Sequence, residues 1–244
     1  LKLVSLAELL VEKQLAGDIE EAKDLVENKK IWVAGFPVDN PSSLVQPEAH
    51  IEIKGIEKKW ASRSGNKIWK FIEEGWIDPE GKICIDVGAS TGGFTDALLR
   101  AGAKKIYAVD VGYGQLLYRL RRDKRVEVLD RYNFRYADPE DFQPPPEIFS
   151  MDVSFISTLK LVEPLNEVMS SSAEGLVLIK PQFEAAAEIL EDGIVTDPTL
   201  RKHTVDRVVS GWQKKGWQCE KLSPAPLKGT TGNLEFIAKM SRQD

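Results

Sequence analysis

The sequence predicts an α/β protein whose main sheet is mostly parallel and ends in an antiparallel pair, preceded by a small α+β module. Three observations carry this. From about residue 83 onward, apolar strand-like runs alternate with helical stretches, the pattern of parallel strands joined by helical crossovers. Two strand-like runs near 217–223 and 233–239 then follow each other with no helix between them, as antiparallel neighbours do. The first 55 residues lack the alternation and hold two short helical patterns followed by short strands.

Each element has its own justification. Leu6, Leu9, Leu10 and Leu15 fall near helical spacing, and Asp18 is placed to cap a second helix carrying Ile19, Ala22, Leu25 and Val26. Residues 31–34 and 50–53 read as short strands, with a turn at Gly35, Phe36 and Pro37 and a break at Asn40 and Pro41 between them. This gives a module over 1–55, a linker over 56–60 and a larger domain over 61–244. In the larger domain strands are expected near 83–87, 106–110, 126–129, 148–152 and 175–180. Helices are expected near 66–75, 93–101, 115–121, 158–169 and 199–215.

Composition bounds the function. Hydrophobic residues make up 42% and charged residues 29% of the 244, a balance that suits a soluble folded chain and argues against disorder. Apolar runs such as 176–179 fall far short of the ~20 residues that span a bilayer. No basic-then-apolar leader opens the chain, so a cytoplasmic protein without membrane partners is expected. Cys84 and Cys219 lie far apart, and His50 and His203 are isolated; neither a disulfide framework nor a metal site is expected. The net charge of −5 argues against nonspecific coating of nucleic acid. It hides a contrast, because residues 1–58 carry seven lysines, no arginine and eleven acids, whereas residues 201–244 carry nine bases and four acids.

The densest chemical signal is the run ICIDVGASTGGF at 83–94. A strand bearing Asp86, followed by Gly88, Gly92 and Gly93 turning into a helix near Phe94, lets a ligand approach the backbone and offers helix N–H groups to a carboxylate. S-adenosyl-L-methionine carries such a carboxylate. Asp110, 24 residues after Asp86 at the end of the next strand, is placed to accept both ribose hydroxyls of an adenosine. Two rivals share these residues. A dinucleotide loop is one, although Ser90 stands where G-x-G-x-x-G has its middle glycine. The other is the nucleophile elbow G-x-S-x-G, spelled by Gly88 to Gly92, with Asp152 or Asp197 and then His203 completing a hydrolase triad.

Further segments narrow the choice: SRSGNK at 62–67, VDVGYGQL at 109–116, DVSFIS at 152–157, KPQFE at 180–184 and GNLEF at 232–236. With the glycine loop these make six motifs in one order, and the chain thereby resembles the TlyA family, also called haemolysin A. Members join an S4-type RNA-binding module to an FtsJ-like ribosomal RNA 2′-O-methyltransferase domain of Rossmann-like fold, whose sheet carries an antiparallel terminal strand.

The resemblance implies a Lys-Asp-Lys-Glu tetrad at Lys67, Asp152, Lys180 and Glu235, with S-adenosyl-L-methionine as cofactor and ribosomal RNA or a ribosomal subunit as partner. A ribose 2′-hydroxyl is a poor nucleophile at neutral pH, so lysines near it favour the developing alkoxide or take the proton. Lys180 is the expected base or alkoxide stabiliser, Asp152 orients it, and Lys67 and Glu235 hold hydroxyl and lysine in place; no metal is needed. Along the cofactor the resemblance implies Asp86, Gly88, Ser90, Gly92, Gly93 and Phe94 at the methionine end, Asp110 at the ribose, and Asp130 and Asn133 near the adenine. RNA is expected to meet Lys59, Arg63 and Lys70 on one stretch and Arg119, Arg121, Arg122, Lys124 and Arg125 on another, with Trp60 and Trp69 either stacking on bases or packing in the core. In the acidic first module, Lys29 and Lys30 are the candidates for RNA contact. Two alternatives are an RNA- or ribosome-binding protein that holds the cofactor without turnover, and a membrane-lytic haemolysin.

Overall fold

The computed structural model describes residues 3–13, 15, 16, 18–54, 60–229 and 232–243. Most of the linker expected at 56–60, and Lys59 with it, lies outside these residues. The chain divides into two compact units, Leu1–Lys59 and Trp60–Asp244.

In the first unit, β1 (Val4–Ser5), α1 (Leu6–Glu12) and α2 (Ile19–Glu27) lead into β2 (Ile31–Val33), β3 (Phe36–Val38), β4 (Leu44–Val45) and β5 (Ile51–Ile53). The apolar faces of both helices meet at Leu6, Leu10, Ala22 and Val26 and close on Ile31. Strand β2 runs antiparallel to β3 and β5, while β1 pairs with β4. The turn expected at 35–37 falls one residue earlier. Ala34 and Gly35 both take positive φ, 51° and 84°, as a two-residue hairpin turn requires. Phe36 and Pro37 therefore begin a strand, with Pro37 on an edge where its missing N–H costs no ladder bond.

In the second unit, α3 (Gly65–Glu73) precedes β6 (Ile83–Val87), α4 (Gly93–Arg100), β7 (Lys105–Asp110), α5 (Tyr118–Arg121), β8 (Val126–Asp130) and β9 (Ile148–Met151). There follow α6 (Val162–Val168), β10 (Glu174–Ile179), α7 (Pro181–Glu184), α8 (Pro198–Gln213), β11 (Trp217–Pro224) and β12 (Phe236–Arg242). The seven strands order as β11-β12-β10-β9-β6-β7-β8, parallel from β10 to β8, with β12 running antiparallel to both its neighbours. Alternate side chains of β10 enter opposite layers: Val177 and Ile179 join Phe149, Leu165 and Trp212, whereas Leu176 and Leu178 join Ile68, Phe71 and Leu98. A strand buried on both faces must be apolar throughout, hence the unbroken run at 176–179.

Strand β6 has β7 on one side and β9 on the other, so the order of the sheet reverses between β6 and β9. The cleft outside the carboxyl ends of strands at such a reversal is where open α/β sheets hold ligands. The helix expected over 158–169 is broken: Thr158–Lys160 form one tight turn and the α-helix starts at Val162. Its first donors are diverted, with Leu159 N bonded to Ser157 Oγ and Thr158 N bonded to Glu184. The helix expected at 115–121 shrinks to Tyr118–Arg121, and the last strand starts at Phe236 rather than 233.

Candidate active site

The glycine loop leaves β6 above a buried carboxylate. Asp86 is fully enclosed and accepts hydrogen bonds from Thr95 Oγ1 (2.7 Å) and Ser150 Oγ (2.9 Å). Burial pushes its pKa up to about 6, against the opposing pull of those two hydroxyls. Asp86 was expected at the methionine end of a cofactor; its oxygens instead tie β6 to α4 and β9 from beneath, and it lines neither cavity described below. Gly88, at φ 89°, lies so close to the main chain of Asp152 that a Cβ would strike the Asp152 carbonyl. Gly92, at φ 97°, admits Leu116 and Leu120 where a Cβ would stand, so its role is packing of the turn.

Two cavities open here. The first, about 340 Å³, has an apolar wall including Val87, Val109, Phe134 and Leu161, with Asp110, Gln115 and Asn133 among its polar groups. The Asp110 carboxylate holds the rim together, accepting from Ser90 N (2.8 Å) and Gly112 N (2.7 Å). Two acceptor sites per oxygen leave it capacity for a ligand's hydroxyls. Asn133 lines this wall and accepts from Arg135 N. Asp130 does not line it: its carboxylate is engaged by Arg121 Nη2 (2.7 Å) and Gly114 N (3.2 Å).

The second cavity, about 300 Å³, shares Gly88, Ser90, Asp152 and Ser154 with the first. Phe94 and all four tetrad residues line it, 168 positions apart in sequence between Lys67 and Glu235. They form two ion pairs. Lys67 Nζ, presented by α3, lies 2.5 Å from Glu235 Oε2 with side chains only 7% and 3% exposed, and Gln182 Nε2 donates to Glu235 Oε1 at 3.4 Å. Lys180 Nζ, just past β10, lies 2.5 Å from Asp152 Oδ1, just past β9, and donates to Ser154 Oγ at 3.0 Å. Asp152 Oδ1 is itself buried and makes no hydrogen bond beyond this ion pair. Phe155, which lines the first cavity, holds a positive φ of 62° and an exposed ring 4.9 Å from that of Phe183.

The arginines expected to face RNA stay at the surface, and three of the four are engaged by carboxylates. Arg119 grips buried Asp96 with both guanidinium nitrogens, Arg121 pairs with Asp130 and Arg125 with Asp123, while Arg122 donates to the Tyr118 hydroxyl. A planar fork matches a carboxylate, and acids stand within reach of three of the four arginines. Burial would raise the Asp96 carboxyl, but Arg119, the Ala61 N–H and Arg100 together lower it. Arg63 differs: it lines the second cavity, is exposed, and has no ion pair among the described residues. Lys70 lies 3.7 Å from Glu74, and Lys29 lies 3.8 Å from Asp39 in the first unit, where Lys30 follows it. Trp60 and Trp69 take the core role, with ring centroids 5.2 Å apart and the Arg100 guanidinium 4.0 Å over Trp60.

The hydrolase reading fails on geometry. Ser90 Oγ donates to Gln115 (3.3 Å), and His203 lies on α8 in a separate cavity with Glu184 and Arg207. Asp197, the other triad candidate, caps α8. Sequence reasoning passed over Ser154, Gln182 and Glu184. All three stand inside motifs it quoted, and only the bonds they make in space reveal their tasks.

The family model described as FtsJ-like methyltransferase matches residues 60–242. The chain is 37% identical over 221 residues to Hemolysin A of Brachyspira hyodysenteriae, covering 89% of this chain and 91% of that one. It is 36% identical over 236 residues to the 16S/23S rRNA (cytidine-2'-O)-methyltransferase TlyA of Mycobacterium tuberculosis, covering 96% and 88%. A solved structure of a candidate hemolysin from Streptococcus thermophilus, 35% identical, matches with a TM-score of 0.75 over 99% of this chain and 89% of that chain. With six motifs in order, a matching domain and full-length relatives, the chain belongs to the FtsJ-like methyltransferase family, within its TlyA and haemolysin A group.

Proposed function

We propose that this protein uses S-adenosyl-L-methionine to methylate a ribose 2′-hydroxyl in ribosomal RNA. The observation that carries the reading is the pair of cavities joined at Gly88, Ser90, Asp152 and Ser154, one shaped for an adenosyl ligand and the other lined by two lysine–carboxylate pairs. The residues present fit the cofactor. An apolar slot suits a purine, Asp110 suits a ribose diol, and the glycine turn into α4 suits a carboxylate.

When bound, the cofactor supplies a methyl group on a sulfonium, which an oxygen nucleophile displaces in line. Lys180 then stands at the shared wall, where its Nζ is a donor to the ribose oxygen or the acceptor of its proton. Asp152 and Ser154 fix that nitrogen in direction, and the buried Lys67–Glu235 pair forms the opposite, rigid side of the hydroxyl's seat. The Phe155 and Phe183 rings offer a base a stacking face. Arg63, lining the second cavity, offers a cation to the backbone. The first unit, read as an S4-like module with Lys29 and Lys30 toward RNA, adds a second grip.

The test is incubation of ribosomal subunits and free ribosomal RNA with protein and methyl-labelled cofactor, followed by mapping of 2′-O-methyl sites. New ribose methylation that disappears in Lys180→Ala supports the reading. Cofactor binding in calorimetry without transfer to any of these acceptors replaces it with a binding protein that retains the pocket.

A further inference from the structure

The chemistry above leaves Glu184 without a task, although it is a buried carboxylate. It ends α7, four residues after Lys180, and accepts three hydrogen bonds from the loop that follows β9. Thr158 N and Thr158 Oγ1 both reach Oε1 at 2.8 Å, and Ser157 Oγ reaches Oε2 at 2.5 Å. Helix α8 backs the joint: Trp212 Nε1 donates to Thr158 Oγ1 (3.3 Å), and Arg207 Nη2 donates to the Glu184 carbonyl (2.5 Å).

The sheet holds Asp152 to β6 through its N–H on the Val87 carbonyl and Ile179 to β12 opposite Phe236, but it does not join the two reacting groups to each other directly. The parallel ladder between β9 and β10 ends at Met151 opposite Val177, one residue before Asp152 and three before Lys180. Beyond it, among the described residues, the hydrogen bonds joining the 152–158 loop to the 180–184 turn are the one at Lys180 and the three at Glu184. A carboxylate at this depth is costly unless its lone pairs are answered, so it keeps its donors and the donors keep the loop.

We propose that Glu184 is a positioning residue: its carboxylate latches the loop bearing Asp152 and Ser154 to the turn bearing Lys180, and so sets where the Lys180 amine stands. The inference rests on the reading of Lys180 as the group at the reacting oxygen. Misplacing a reacting group by about 1 Å costs on the order of 100-fold in rate. Gln at 184 keeps an acceptor for Thr158 and offers its amide to the Ser157 oxygen, so the latch tolerates loss of charge but not loss of the group.

The test compares the full chain with Glu184→Ala and Glu184→Gln. It reads kcat and KM for ribosomal RNA methylation, S-adenosylhomocysteine affinity, and acylation of Lys180 and Lys67 by a lysine-selective reagent followed by mass spectrometry. In Glu184→Ala, kcat falls by about 10- to 100-fold with KM and ligand affinity unchanged, and Lys180 acylates several-fold faster while Lys67 does not. Glu184→Gln recovers most of the rate. Unchanged kcat and unchanged Lys180 labelling in Glu184→Ala overturn the latch, as does a parallel rise at Lys67, which marks general loosening, or a Glu184→Gln as impaired as the alanine variant. If the unaltered chain transfers no methyl group, the proposed function fails, and the labelling of Lys180 against Lys67 still decides the latch.

Discussion

Lys67–Glu235 and Lys180–Asp152 are the same chemical couple at the same 2.5 Å separation on one cavity, yet they are built for different work. The first is closed: both side chains are almost fully buried and Gln182 attends the carboxylate. The second is less closed: its side chains are 11% and 16% exposed, and Asp152 Oδ1 makes no hydrogen bond beyond the ion pair. What faces a charge, rather than its type, decides whether it holds the fold or remains available to a substrate. The sharpest break of this comparison is Lys180→Ala. Methyl transfer should fall by roughly 1000-fold, as loss of a proton-transfer group does, while S-adenosylhomocysteine binding and the melting temperature stay near those of the unaltered chain. A large fall in melting temperature would place Lys180 with the structural pair instead.

Lys67→Ala should reverse that pattern. It strands the Glu235 carboxylate, 3% exposed, without its cation. Removing one partner of a buried pair costs about 3–5 kcal/mol, read as a lower denaturant midpoint, with activity lost alongside. Lys67→Met combined with Glu235→Leu should regain most of the stability and none of the activity, because the volume returns and the charges do not. A double variant no more stable than Lys67→Ala would mean that the pair is held by something other than mutual neutralisation.

The same distinction explains what was legible in the sequence. Alternating runs gave the parallel strands because burial on two faces leaves an apolar signature, whereas the antiparallel pair was read from two successive runs near 217 and 233 with no helix between them. The tetrad was readable only through family motifs, since Lys67 and Glu235 lie 168 residues apart and no local pattern couples them. The arginines at 119–125 were only partly legible for the complementary reason. A run of cations reads as a nucleic-acid surface, and only the fold shows that Asp96 and Asp130 from outside the run pair with Arg119 and Arg121. Helix 158–169 was overdrawn because periodicity cannot register that Thr158 N bonds to a carboxylate 26 residues away.

Asp86 extends the comparison to a buried carboxylate with no cation among the described residues, answered by two hydroxyls. Its folded pKa of about 6 stands above the ordinary 3.8, so the folded state holds its proton more tightly than the unfolded chain. The stability this contributes is present below pH 4 and is lost as pH rises through the window from about 4 to about 6. A displacement of this size corresponds to about 3 kcal/mol. Asp86→Asn stays neutral, so relative to the unaltered chain it should gain stability across that window and level off above it. Denaturation curves at pH 4, 5, 6 and 7 that run parallel for the two proteins would show that Asp86 titrates normally.

The smallest expected effect separates the open cation from the closed one on the RNA side. Arg63 lines the catalytic cavity without an ion pair among the described residues, whereas Arg119 holds Asp96 through both its nitrogens. A cation that meets a phosphate releases counterions when RNA binds, and one already neutralised by a carboxylate has few to release. Arg63→Ala should therefore lower the slope of log affinity against log salt by about 1 and weaken binding most at low ionic strength. Arg119→Ala should leave that slope unchanged and instead lower the melting temperature, because it leaves the Asp96 carboxylate, which braces α4 and the chain at Ala61, with Arg100 as its cation. Equal changes of slope in the two variants would mean that Arg119 leaves Asp96 for RNA, and the cluster would regain the role its sequence suggests.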